Sequence, residues 1–115
     1  MKKLIILAIL FNSFLDASER IINQSWCSSN GGVIEYRTKY GTYVDCLTDE
    51  YAIEVEFDYN WKESIGQALH YAEATNRSAG ILLINRNRSR VNYLEQLNNV
   101  IKKYNLPVTI FVTNE

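Results

Sequence analysis

Three strand-like segments joined by short connections constrain the fold of this chain most strongly. They are "GVIEYR" (32–37), "YVDCL" (43–47) and "YAIEVEF" (51–57), which are rich in β-branched and aromatic residues. The first connection includes Gly41, which can adopt the positive φ of a turn, and the second is "TDE". Because a parallel crossover needs about a dozen residues or more, these segments predict an antiparallel meander.

The segments on either side of the meander predict three helices and two further strands. A short helix starting near Ser18 ends before Asn30-Gly31-Gly32, a strong stop signal. After the meander, "DYNWKESIGQALHYAEATN" and "NYLEQLNNVIKKYN" carry apolar residues at helical spacing. They are followed by the apolar runs "AGILLINR" and "PVTIFVT", and a helix between two strands implies parallel pairing. The predicted fold is an α/β sandwich of order αβββαβαβ with a mixed sheet.

The helix after the meander carries two local features with structural consequences. Asp58 or Asn60 is placed to cap its N-terminus. Gly66 lies in its interior, where glycine costs about 1 kcal/mol relative to alanine. This cost calls for a packing reason, such as a close approach of the helix to the sheet at Gly66.

The first 17 residues have the layout of a secretory signal peptide. Two lysines precede an apolar run, residues 4–15, and small residues follow it. The run is shorter than the roughly 20 apolar residues that span a membrane. We predict that residues 1–17 are removed, leaving a single domain of residues 18–115 in the periplasm or outside the cell, with no membrane attachment. An uncleaved anchor and a buried N-terminal helix are the alternatives.

The charge and the cysteines limit the classes of function. The net charge of the whole chain is −1, so no overall positive field attracts nucleic acid. The sequence "RNRSR" (86–90) is a local basic cluster, read either as a phosphate contact or as a solvated loop. Cys27 and Cys46 are a disulfide candidate in an exported chain, and two independent buried thiols are the alternative. With one histidine and two cysteines, a structural zinc site is not expected.

Acidic residues stand among apolar residues in the second and third strands. Glu54 and Glu56 share one face of the third strand, about 7 Å apart at the backbone. Asp45 lies on the neighbouring strand, within reach across the short connection. Such carboxylates can converge to hold a metal, although a strand with one solvated face has the same pattern.

Polar residues on the helix after the meander add to this pattern. Gln67 and Tyr71 are four residues apart and therefore lie on one helix face, beside its apolar stripe. His70 is interpreted as a surface or packing residue. Tyr36, Tyr40 and Tyr43 can stack on bases, but they also fit ordinary packing.

These residues together resemble the PD-(D/E)XK nucleases, the restriction-endonuclease-like superfamily, in its RecB-type branch. The resemblance rests on Asp45 in a hydrophobic strand, on Glu54-Val55-Glu56 in the next strand, and on "QALHY" (67–71), which fits the Q-x-x-x-Y pattern of that branch. The αβββαβ order from residue 18 to about residue 85 agrees with it.

The resemblance implies a restriction-endonuclease-like fold and metal-dependent hydrolysis of phosphodiester bonds in nucleic acid. Asp45 and Glu54 would hold Mg²⁺ or Mn²⁺, with Glu56 as a third metal ligand. Gln67 and Tyr71 would orient the site or contact the nucleic-acid backbone. Glu35 is a further candidate acid on the first strand, and Glu19 is the candidate on the first helix.

The chain departs from the family at the position of the family's lysine, which is Glu56 here. A glutamate at this position can act as a ligand or a base, and Lys62 on the following helix is placed to replace the lysine. Two interpretations follow. The chain is an exported metal-dependent nuclease, or it is a catalytically degenerate member of the fold that acts as a periplasmic binding or interaction module. The predicted catalytic residues are Asp45, Glu54, Glu56, Lys62, Gln67 and Tyr71.

Overall fold

The structure is a computed structural model that describes residues 18–115, and it contains a five-stranded mixed sheet covered by helices on both faces. The predicted α/β class and the order αβββαβαβ agree with it. The elements are α1 (18–29), β1 (Val33–Arg37), β2 (Tyr43–Leu47), β3 (Tyr51–Phe57), α2 (Trp61–Thr75), β4 (Ser78–Asn85), α3 (Tyr93–Lys103) and β5 (Val108–Asn114).

The strands follow one another across the sheet in the order β1-β2-β3-β4-β5. The first two pairings are antiparallel, as a meander with short connections requires. The pairings β3–β4 and β4–β5 are parallel, because α2 and α3 provide the crossovers. Six consecutive residues of β4, 79–84, are buried, as expected for a strand covered on both faces.

Alternation along β3 sends its side chains into two different cores. Ile53, Val55 and Phe57 face α1 and pack with the disulfide and with β4. On the opposite face, α2 and α3 pack on β4 through Trp61, Ala68, Ala79, Ile81, Leu83 and Leu97. A third, smaller cluster joins the same face near β2 and consists of Val44, Leu47, Ala52 and Tyr71. The side chains of Glu54 and Glu56 therefore project from the face of the sheet that α2 covers.

The predicted disulfide between Cys27 and Cys46 is confirmed. It joins α1 to β2 with a Cα–Cα distance of 5.8 Å, and both residues are fully buried. Gly32 packs directly on it, since a Cβ atom there would lie 2.6 Å from the Sγ atom of Cys27 and 2.7 Å from that of Cys46. A glycine is required at this position because any side chain would displace the disulfide.

Two local expectations for α2 are wrong. Neither side chain caps the helix: Asn60 occupies the N-cap position but makes no capping hydrogen bond, and Asp58 accepts hydrogen bonds from Tyr59 N and Arg86 N. A short 3-10 turn, Asp58–Asn60, precedes the helix instead. Gly66 does not approach the sheet, because a Cβ atom there would meet no neighbour within 4 Å among the described residues.

The predicted signal peptide, residues 1–17, lies outside the described residues. Among the helices of residues 18–115, none has the length and apolar character needed to cross a membrane.

Candidate functional site

The candidate site lies where β2 and β3 separate. Their pairing runs through Leu47 with Ala52 and Cys46 with Ile53, and it stops where Asp45 would face Glu54. Beyond that point Asp45 Oδ2 accepts a hydrogen bond from Val55 N at 2.8 Å. A carboxylate thus takes the place of a backbone acceptor and satisfies a buried N–H group. The separation brings the carboxyl groups of two neighbouring strands together.

Helix α1 holds Asp45 from the other side. Asn23 Nδ2 donates a hydrogen bond to the backbone oxygen of Asp45 at 2.8 Å. Asn23 stands four residues before Cys27, so the two share one face of α1, and the disulfide fixes that face against β2. Asn23 Oδ1 is buried and has no hydrogen-bond partner within residues 18–115.

Glu54 is the most buried acid of the site, with 4% of its surface exposed. Burial and the adjacent Asp45 charge raise the pKa of the Glu54 carboxyl to about 11. Burial also raises the pKa of Asp45, whereas hydrogen bonds from Glu54 and Val55 oppose that change. The pair therefore shares a proton at neutral pH, with Glu54 as the protonated partner. Glu54 Oε2 is buried without a hydrogen-bond partner in the described chain.

Glu56 belongs to the same electrostatic group but is partly exposed. Its Oε1 atom accepts a hydrogen bond from Phe57 N at 3.0 Å. Burial raises the pKa of Glu56 to about 7, while the hydrogen bonds from Phe57 and Asn60 oppose this rise. Glu56 is therefore a carboxyl group that titrates near neutral pH.

The predicted pair on α2 lies next to these acids. Tyr71 is buried and donates a hydrogen bond to Gln67 Oε1 at 3.3 Å, while Gln67 is exposed. Burial, together with the negative charges of Glu54 and Asp45, raises the pKa of the Tyr71 phenol. Tyr71 is therefore a neutral hydrogen-bond donor beside the carboxylates.

The additional acids from α1 and β1 border the site. Glu19, Glu35 and Asp45 line a cavity of about 180 Å³ together with Arg20, Asn23 and Val55. Glu19 also adds to the negative potential at Glu54. Glu35 forms an ion pair with Arg20 at 3.2 Å, and both side chains are largely exposed. The backbone of Glu35 has a φ of 53°, and in the β1–β2 register Glu35 stands opposite Asp45. The distortion of the sheet at Asp45 therefore extends to β1.

Lys62 and His70 contact residues other than the acids of the site. Lys62 is an exposed residue of the first turn of α2, and its ammonium lies over the Trp61 ring at 5.9 Å from the centroid. Among the described residues it forms no ion pair with a carboxylate. His70 Nε2 lies 2.8 Å from Thr42 Oγ1, and its ring packs beside Tyr40, so it ties α2 to the β1–β2 turn.

The groups available to bind a metal are the carboxyl groups of Asp45 and Glu54, which do not by themselves complete a coordination sphere. In residues 18–115, no three side chains of His, Cys, Asp or Glu are grouped closely enough to hold a metal ion together. Asn23 is the residue of this region that the sequence analysis missed. Its signal is the spacing of Glu19, Asn23 and Cys27, which places them on one face of α1 beside the disulfide.

Comparisons with known proteins give partial similarities. No protein-family model and no solved structure matches the chain. Three KilA-N domain-containing proteins of Acanthamoeba polyphaga mimivirus are similar to it. The first is 46% identical over 54 residues, covering 47% of this chain and 15% of the relative. The second is 47% identical over 55 residues, covering 48% and 14%. The third is 29% identical over 100 residues, covering 86% and 39%. The chain therefore spans less than half the length of each of these relatives.

Proposed function

We propose that this chain is a nuclease of the restriction-endonuclease-like fold that hydrolyses phosphodiester bonds with the help of Mg²⁺ or Mn²⁺. The observation that carries the proposal is the convergence of Asp45 and Glu54 where β2 and β3 separate, with Glu54 Oε2 buried and without a hydrogen-bond partner in residues 18–115. A buried polar atom without a partner costs about 1–3 kcal/mol. A cation bound at this point would offset that cost and would take the place of the proton that the two carboxyl groups otherwise share.

The donor set fits a hard divalent cation. Asp45 and Glu54 offer carboxylate oxygens, which Mg²⁺ and Mn²⁺ prefer. Mg²⁺ is commonly held by one or two carboxylates and keeps several waters, so a site with two converging carboxylates is sufficient. When bound, the cation would polarise a phosphodiester and make water more acidic.

The residues around this pair can perform the remaining steps. Glu56, whose pKa is near 7, can accept a proton from an attacking water at neutral pH. In this role it replaces the family's lysine as the group next to the reacting water. Tyr71 donates a hydrogen bond as a neutral phenol, and exposed Gln67 provides an amide for the nucleic-acid backbone.

A metal titration tests the proposal with a matched control. Calorimetry with Mn²⁺ should show binding to the native chain and to Asp49→Asn, which changes an exposed turn acid. Binding should be lost in Asp45→Asn and in Glu54→Gln. The same two variants should fail to cleave labelled DNA and RNA. Equal binding by all four proteins, or no binding at millimolar Mn²⁺, contradicts the metal site.

A second candidate function is a binding or interaction module on the same fold. Two observations favour this candidate. Glu56 stands in place of the family's lysine, and in the described chain no third protein ligand lies close enough to bind a metal together with Asp45 and Glu54. It predicts metal binding without cleavage of any DNA or RNA substrate. Export of the protein is proposed with either function and depends on residues 1–17.

A further inference from the structure

The loop that follows β4 forms a basic surface at the carboxyl ends of the parallel strands. Arg86, Arg88 and Arg90 come directly after β4, and Asp58 Oδ2 accepts a hydrogen bond from Arg86 N. This hydrogen bond ties the loop to the end of β3. Ligands of α/β sheets commonly bind at the carboxyl ends of parallel strands.

This surface already holds an oxyanion of the chain itself. The Glu115 carboxylate places Oε2 at 2.6 Å from Arg86 Nε and Oε1 at 3.7 Å from the Arg88 guanidinium. A guanidinium binds carboxylate and phosphate oxygens with the same planar arrangement of N–H groups. The side chain of Arg88 is 64% exposed, and it therefore has donors directed to solvent.

An aromatic platform lies beside these arginines. Phe57 and Tyr59 are stacked with ring centroids 5.8 Å apart and an interplanar angle of 5°. The Arg86 guanidinium lies over Phe57 at 5.1 Å from the ring centroid. Tyr59 is 43% exposed, and with Arg88 and Tyr93 it lines a cavity of about 240 Å³. An exposed tyrosine next to guanidinium groups suits a base and its phosphate.

We propose that Tyr59, Arg88 and Arg90, here called the Arg–Tyr surface, bind a single strand of nucleic acid. Arg88 and Arg90 contact consecutive phosphates, and an unpaired base stacks on Tyr59. The Glu115 carboxylate occupies part of the same anion site and competes with the phosphate. Glu56 stands two residues before Asp58, about 7 Å along the chain. The proposal thus deepens the proposed function, on which its catalytic meaning rests, because the surface adjoins the end of β3, the strand that carries Glu54 and Glu56.

The test measures binding in the absence of divalent cations. Fluorescence anisotropy with a labelled oligothymidine of about twelve nucleotides, in EDTA and at several salt concentrations, is expected to show salt-dependent binding. Arg88→Ala and Arg90→Ala should each weaken it several-fold and lower the salt slope by about 0.7. Tyr59→Leu should weaken binding about tenfold through lost stacking. Glu115→Gln should strengthen it.

Two exposed residues elsewhere serve as matched controls. Arg37→Ala changes an exposed arginine on β1, at the opposite edge of the sheet, and Tyr104→Leu changes an exposed tyrosine after α3. Both should bind like the native chain. Binding that is unaffected by Arg88→Ala, or weakened equally by Arg37→Ala, overturns the proposal. Equal competition by a duplex or by polyglutamate overturns the assignment to single strands of nucleic acid.

The two proposals can fail separately. If the variants lose binding in this pattern but no substrate is cleaved with Mn²⁺, the Arg–Tyr surface stands and the nuclease function fails. If cleavage occurs and is unchanged in Arg88→Ala and Tyr59→Leu, the Arg–Tyr surface fails and the nuclease function stands.

Discussion

The buried Glu54 carboxyl should make the metal-free protein less stable as the pH rises. Its pKa is about 11 in the folded chain, above its ordinary value of 4.5. The folded state therefore retains a proton that the unfolded chain releases. This contribution to stability is fully present below about pH 4.5 and is lost progressively towards the folded pKa.

The magnitude follows from the linkage between proton binding and unfolding. Each pH unit between the two pKa values lowers the free energy of unfolding by about 1.4 kcal/mol. From about pH 5 to about pH 8 the loss is about 4 kcal/mol, and in a domain of this size it corresponds to a fall in Tm on the order of 20 °C. Glu56 acts in the same direction, but its effect is smaller because it is partly solvated.

Glu54→Gln isolates this effect, because the amide keeps the size of the side chain and does not ionise. The Tm of the variant should vary much less with pH over this range, and at about pH 8 the variant should be more stable than the native chain. Thermal unfolding followed by circular dichroism in EDTA measures both proteins, with Glu50→Gln, an exposed turn acid, as the control. If the native chain and Glu54→Gln show the same dependence of Tm on pH, the reasoning is refuted.

Three further changes have defined outcomes. Gly66→Ala should raise the free energy of unfolding by about 0.5–1 kcal/mol in urea titrations, since the position is helical and open; a destabilised variant would contradict this. The pair Cys27→Ala and Cys46→Ala should cost about 3 kcal/mol relative to the oxidised native chain in the same titrations, because the disulfide closes a loop with a sequence separation of 19. Mass spectrometry of protein from the native host should show that residues 1–17 are absent, and a soluble product that retains Met1 would refute the signal peptide.

Elements with strong local patterns were predictable from the sequence. The short connections around β2 left an antiparallel meander as the only arrangement, and the helices between β3 and β5 required parallel pairing. The disulfide followed from two cysteines in a chain predicted to be exported.

Features that depend on tertiary contacts were not predictable. The separation of β2 from β3 at Asp45 involves the positive φ of Glu35 and the hydrogen bond from Asn23 on α1, neither of which has a pattern in the strand sequences. Gly66 indicated a close approach only on the assumption that a helical glycine must contact something. Lys62 was expected near the acids because it begins the helix after β3. The direction of its side chain, which lies over the Trp61 ring, could not be predicted from that position.

The separation of β2 from β3 also determines which part of the protein opens first. Only two residue pairs join the β1–β2 hairpin to β3, whereas β3 and β4 are paired along seven positions. Backbone amides of β1 and β2 should therefore exchange with solvent through local fluctuations, while those of β3, β4 and β5 exchange only when the whole domain unfolds. The disulfide to α1 restrains the hairpin together with the contacts of Thr42 and Tyr40 with α2. In reduced protein Asp45 can move away from Glu54 while the central strands remain folded. The two carboxyl groups should therefore separate before the domain unfolds.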